Sequence, residues 1–142
     1  MRCIYHVAVA PSVQYDCAAD PELDLQRGDA VVLRCERYQD IAEITEVPDD
    51  NPVDDDEVEK RHERASRGRQ IEGKRMPRVI RKATESDLER ARENDSRARS
   101  MEGTADECIA AHGLDMRLIN AHLSFDRRLA IFQFTAEGRV DF

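Results

Sequence analysis

Gly113-Leu114-Asp115-Met116-Arg117-Leu118-Ile119-Asn120-Ala121-His122-Leu123-Ser124-Phe125-Asp126-Arg127-Arg128-Leu129-Ala130-Ile131-Phe132-Gln133-Phe134-Thr135-Ala136 decides how the second half of this chain is read. Gly113 suits the left-handed residue that ends a helix. From Arg117 to Phe125 the side chains alternate. Ile119, Ala121, Leu123 and Phe125 face one way, and Asn120, His122 and Ser124 the other. Asp126-Arg127 makes a turn, and Leu129 to Ala136 returns with Ala130, Phe132, Phe134 and Ala136 on one face. A period of two on both sides of a short polar turn predicts an antiparallel hairpin with one apolar face.

Upstream, Thr84-Glu85-Ser86-Asp87 has the form of a capping box, with an acid three residues after a hydroxyl. Leu88, Ala91, Ala98, Met101, Ala105, Cys108, Ile109 and His112 then recur at threes and fours, which predicts one long helix over 85–112 with a narrow apolar stripe. Helix, strand, strand is an incomplete ferredoxin-like unit, expected over 77–142 and lacking a closing helix.

The first 48 residues read as β structure. Cys3 to Ala10, Val13 to Cys17, Ala30 to Glu36 and Ile41 to Val47 are short apolar or alternating runs, and Arg27-Gly28-Asp29 is a turn. So many strands in so short a span predict a small barrel or sheet over 1–48. The fold class is α+β. Between the two units, Asp40–Glu59 holds ten acidic residues and no Lys or Arg, and Lys60–Lys82 ten basic residues and two acidic ones. Opposite charge blocks of this size predict a charged flexible connector over 49–76 with few buried contacts.

The net charge is −8, with 37% charged, 40% hydrophobic and 5% aromatic residues. No run approaches the roughly 20 apolar residues of a membrane span. Met1-Arg2-Cys3-Ile4-Tyr5-His6 lacks the apolar stretch of a secretory signal, so a cytoplasmic location is expected. The four cysteines form no C-x-x-C pair, which predicts reduced thiols, with Cys35 and Cys108 as small buried hydrophobes.

No P-loop, nucleophile elbow or dinucleotide-binding glycine pattern occurs, and no catalytic residue is assigned. Cys3 with His6, and Cys108 with His112, have spacings that can hold a metal, but the second pair also continues the apolar stripe. No metal ligand is assigned. The basic stretch offers Arg67, Arg69, Lys74, Arg75, Arg78, Arg81 and Lys82 as an RNA contact. No aromatics interleave it, and a solvated connector whose positive half balances the acidic loop is the favoured reading.

Arg81-Lys82-Ala83-Thr84-x-x-Asp87-Leu88, Gly113-Leu114-Asp115-Met116, Phe125-Asp126 and Phe132-x-Phe134-Thr135-Ala136-x-Gly138-Arg139-Val140-Asp141-Phe142 resemble the PSP-one (polymerase-suppressor type) C-terminal family, in its bacterial YaaT/RicT-like regulatory branch. Arg27-Gly28-Asp29-x-Val31-Val32 resembles that family's N-terminal strand, although Tyr38-Gln39-Asp40 stands where the family has a glycine-bearing turn. The family's continuation past Phe142, a helix and then a cysteine-bearing stretch, is missing, so the sequence reads as truncated. The resemblance implies a non-enzymatic regulatory adaptor. It would assemble with small helical partner proteins and an RNA-processing nuclease, and so modulate RNA processing or cell-fate programmes such as sporulation. The alternatives are a direct RNA-binding module using residues 60–82 and an iron–sulfur or metal-dependent sensor component. Complexes of the bacterial group are associated with iron–sulfur clusters, but no ligand role is carried onto Cys3, Cys17, Cys35 or Cys108, and no cofactor is expected in this chain alone. Partner contact, including oligomer formation, is expected at Phe132, Phe134, Arg139 and Phe142.

Overall fold

Short β-branched runs separated by turns give five strands that close on one another. The computed structural model describes residues 1–10, 13–48, 52–66 and 75–138. The strands are β1 (Cys3–Ala10), β2 (Val13–Ala19), β3 (Ala30–Arg34), β4 (Gln39–Glu46) and β5 (Arg78–Lys82). They form a closed barrel in the order β1-β2-β5-β3-β4. All contacts are antiparallel except β2–β5, which meet in parallel at Ala18 and Arg78. Alternate residues point inward, so Tyr5, Val7, Cys17, Val31, Leu33, Ala42, Ile44 and Val79 fill the interior. Gly28, at φ 93°, turns the chain into β3 and donates its N–H to Ile44 O at 2.8 Å.

The first unit is therefore not closed by residues 1–48 alone. β5, expected with the helix and hairpin, is a barrel strand between β2 and β3. Its sequence Arg-Val-Ile-Arg-Lys shows only two apolar residues, but Val79 alone has to reach the core.

The stretch 49–76 also differs from its expected form where it is described. Asp55–Ser66 is a helix, α1. Val58 and Met76 are buried with Ala18, against Ile4 and Val53, on the outside of the barrel, and His62 is buried too. Val53 pairs with Arg2 through two backbone hydrogen bonds of 2.7 and 2.8 Å. The charge that suggested a connector suits a helix here. Asp55, Asp56 and Glu57 sit in the first turn and Arg64 in the last, complementing the macrodipole.

The second half follows the expected order: α2 (Glu85–Ala111), β6 (Arg117–Leu123) and β7 (Ala130–Thr135). Both arms of the Thr84–Asp87 capping box are formed, and Gly113, at φ 60°, lies just past the helix end. β6 and β7 make a two-stranded sheet, with Ala121 opposite Phe132 and a register shift between Leu118 and Asn120. That shift moves Ile119 off the apolar face and leaves it 59% exposed.

α2 does not rely on its apolar stripe alone. Ala98 is buried, but so are Asn94 and Asp87. Arg99 donates to Ala121 O at 2.9 Å, and Glu102 accepts the Ala121 N–H at 2.9 Å. Asn94 donates to the carbonyls of Ser124 and Phe125, both at 3.2 Å. The helix thus docks through polar side chains on the backbone edge of β6.

Among the described residues, polar contacts at His122 and Asp126 join the hairpin to the barrel. His122 Nε2 lies 2.7 Å from Asp40 Oδ2, with side-chain exposures of 20% and 3%. Gln39 N–H donates to Asp126 Oδ2 at 2.9 Å, and Asp126 N–H donates back to Gln39 O at 3.4 Å.

Candidate functional site

The hairpin presents the exposed aromatic surface. Phe132 and Phe134 share a face of β7, and their rings stack with centroids 6.3 Å apart and planes 18° apart. Each is 38% exposed. Beside them, Ala105, Cys108, Ile109, His112, Leu114, Met116 and Phe134 line an apolar groove of about 490 Å³ between the end of α2 and β7. Arg139 and Phe142, expected to join this surface, lie outside the described residues.

Cys108 is exposed rather than buried. It lies near the end of the 27-residue α2. His112 Nδ1 sits 2.9 Å from Cys108 O, at the helix end.

The expected RNA contact is spread differently from its linear order. Arg67, Arg69 and Lys74 lie outside the described residues. Arg75 and Arg78 are exposed. Arg81 is held in a bidentate pair by Asp87, and Lys82 Nζ lies 3.6 Å from Asp29 Oδ2. Arg81 and Lys82 therefore already serve intramolecular partners.

Sequence reasoning missed three further arginines, of which Arg34 stands beside Arg78. Arg34 is its register partner across β3–β5, so both side chains share a face. Arg34, Arg37 and Arg128 line a polar cleft of about 430 Å³ at the joint of barrel and hairpin, with Tyr38 and Gln39. Asp126 lies in the same cleft, but its oxygens accept from Gln39 N–H, Ser124 Oγ and Arg128 N–H. Burial alone would raise its carboxyl, yet these hydrogen bonds hold it below the usual range. Only the barrel register brings Arg34 and Arg78 together, so no linear signal could have found the cluster.

The cysteines do not form a cluster site. Cys17 lies in the barrel core, and burial pushes its thiol up to about 12. Burial pushes Cys35 up to about 11, while Cys108 is exposed on α2, in the apolar groove beside Phe134. Iron–sulfur ligation needs several converging thiolates. Among the described residues no group of three or more His, Cys, Asp or Glu is placed to hold a metal ion. These residues do not fit the group that the family resemblance suggests.

Two units, a barrel and a helix-hairpin, are thus joined through β5, and β5 with the second unit falls in a known conserved region. Residues 77–142 match the PSP1 C-terminal conserved region. Over 67 residues the chain is 45% identical to "Stage 0 sporulation protein YaaT" of Bacillus subtilis (strain 168). That alignment covers 47% of this chain and 24% of the relative, so the chain spans about a quarter of the length of the curated protein it matches. No solved structure matches. No helix among the described residues is long and apolar enough to cross a membrane.

Proposed function

We propose that this protein is a sporulation-related regulatory protein that works as a non-enzymatic adaptor, binding protein partners through its hairpin and modulating RNA processing. The observation that carries this reading is the match of residues 77–142 to the PSP1 C-terminal conserved region, which takes in the exposed Phe132–Phe134 stack, beside the 45% identity with the sporulation protein over 67 residues. Stacked aromatics beside an apolar groove are typical anchors of protein contacts. The test exchanges the matching segment of the Bacillus protein for residues 77–142 of this chain. Spore formation is expected to be restored, and to be lost again when Phe132 and Phe134 are both changed to Ser. A chimera that accumulates normally yet forms no spores overturns the proposal.

A second reading, direct RNA contact, is supported by the shared face of Arg34 and Arg78 and by Arg37 and Arg128 in the adjacent cleft. Guanidinium groups in such a cluster suit phosphate oxygens. A salt titration with a short single-stranded RNA tests it. Affinity should fall with salt and drop about tenfold for each arginine replaced by Ala. Unchanged affinity in the Arg34→Ala/Arg78→Ala variant overturns it.

A further inference from the structure

The two edges of the hairpin are treated differently. Ser124 N–H donates to Leu129 O at 2.9 Å, and this bond sets the alternation of the ladder. Counting from it, His122 and Ile131 form a hydrogen-bonded pair, and Ala121 and Phe132 a non-hydrogen-bonded one. Ala121 agrees, because its N–H goes outward to Glu102 and its carbonyl outward to Arg99. The outer edge of β6 is therefore covered by α2. On β7 the same alternation turns the N–H and C=O of Ala130 and Phe132 away from β6. Among the described residues no backbone group meets them.

β7 reads Ala-Ile-Phe-Gln-Phe-Thr, without a charge, in a chain that is 37% charged. It has no Lys or Pro of the kind that blunts an exposed edge. Its flanks carry opposite signs: Arg127 and Arg128 before it, Glu137 after it. A parallel neighbour of the same sequence would set arginine beside arginine. An antiparallel one brings the arginine end, where Arg127 also holds Glu93 and Asn94 of α2, against the end that carries Glu137.

We propose that β7 pairs antiparallel with β7 of a second copy of this chain, with Phe132 facing its own symmetry mate across a two-fold axis. This rests on reading the hairpin as an interaction surface, and it names the occupant of that surface. The register follows from the alternation. Outward-facing residues must form the hydrogen-bonded pairs, so Phe132 meets Phe132 and Ala130 meets Phe134 of the second copy. The same step aligns the two Phe132–Phe134 stacks on one face of a four-stranded sheet. Six strand residues per copy make a small interface, so the association is roughly micromolar.

Light scattering on the 142-residue chain over a concentration series tests this. The mass should rise from 16.3 kDa towards twice that value. Ala130→Pro removes an outward N–H that the hairpin itself does not use, and a proline is tolerated at such an edge position. It should weaken association by roughly tenfold or more while circular dichroism stays unchanged. Phe134→Lys, which places a charge on the paired face, should do the same. In a Cys108→Ser background, Phe132→Cys should cross-link to itself with a short bis-maleimide, and Arg92→Cys on α2 should not. A mass of 16.3 kDa at all concentrations, or a dimer untouched by Ala130→Pro, overturns the proposal. Either result leaves the spore-formation exchange free to succeed, so the two failures are told apart.

Discussion

Asp87 ties a barrel strand to a helix with one carboxylate. It accepts the Thr84 N–H at 2.8 Å, its own N–H donates to Thr84 Oγ1 at 3.2 Å, and Arg81 of β5 grips both oxygens. The Arg81 guanidinium and the Thr84 N–H hold its carboxyl well below the usual carboxylate range. Asp87→Ala should cost about 1–2 kcal/mol, read by chemical denaturation near pH 7. A depressed folded value means that this contribution is present above the ordinary pKa of about 3.9 and fades as pH falls below it. The gap between wild type and Asp87→Ala should therefore narrow in acid. His122 has the opposite sign. Burial pulls its imidazole down, but the Asp40 carboxylate outweighs this and the net direction is upward, with Asp95 adding to it and Arg99 opposing. Its contribution is complete below the ordinary value of about 6.5 and is lost as pH rises through the raised one. Stability followed from pH 6 to 9 should fall more in the wild type than in His122→Ala. A third test concerns the thiols. At neutral pH, maleimide labelling followed by mass spectrometry should modify exposed Cys108 rapidly and buried Cys17 slowly. Of these features only the capping box was legible in the sequence, because its partners are three residues apart. Asp40 and His122 lie 82 positions apart, and nothing local links them.

At the scale of elements, local pattern carried the strands and α2, and tertiary context decided the rest. The hairpin's period of two was sufficient to place β6 and β7, but not to show the shift at Leu118–Asn120 that expels Ile119. β5 was hard to read because one inward residue, Val79, is all that the core demands of it. α1 was hard to read because its mean hydropathy is low and, among its described side chains, only Val58 and His62 are buried. Its docking is nevertheless energetic. Met76→Ala, which empties the contact with Val58 and Ala18, should cost about 2–4 kcal/mol. Hydrogen exchange should show α1 amides protected in the wild type and the protection reduced in that variant. Amides of α1 that exchange as freely as a disordered peptide would sink this account.

The whole molecule keeps its two units together through few but directional bonds: the Asp40–His122 pair, the Gln39–Asp126 exchange and the Arg81–Asp87 fork. A joint built of polar groups defines an orientation more than it adds free energy. That orientation sets the cleft of Arg34, Arg37 and Arg128 against the barrel end, leaving β7 open on its outer edge. Asp40→Asn with Asp126→Asn should loosen the joint without unfolding the barrel. Two-dimensional NMR should then show shifts confined to β4, β6 and the hairpin turn. Shifts throughout the barrel core would contradict a separable joint.

β5 also has a consequence for synthesis on the ribosome. The strand that closes the barrel, β5, is translated after β1 to β4 and after α1. Until then β2 and β3 each present an unpaired edge, for an interval on the order of seconds at ordinary elongation rates. During that time a nascent chain offers two sticky strand borders to its neighbours, and α1, folding locally beside them, is the first element able to cover the adjoining apolar surface. The order of translation thus makes residues 47–77 a spacer that is synthesised while the barrel waits for its last stave.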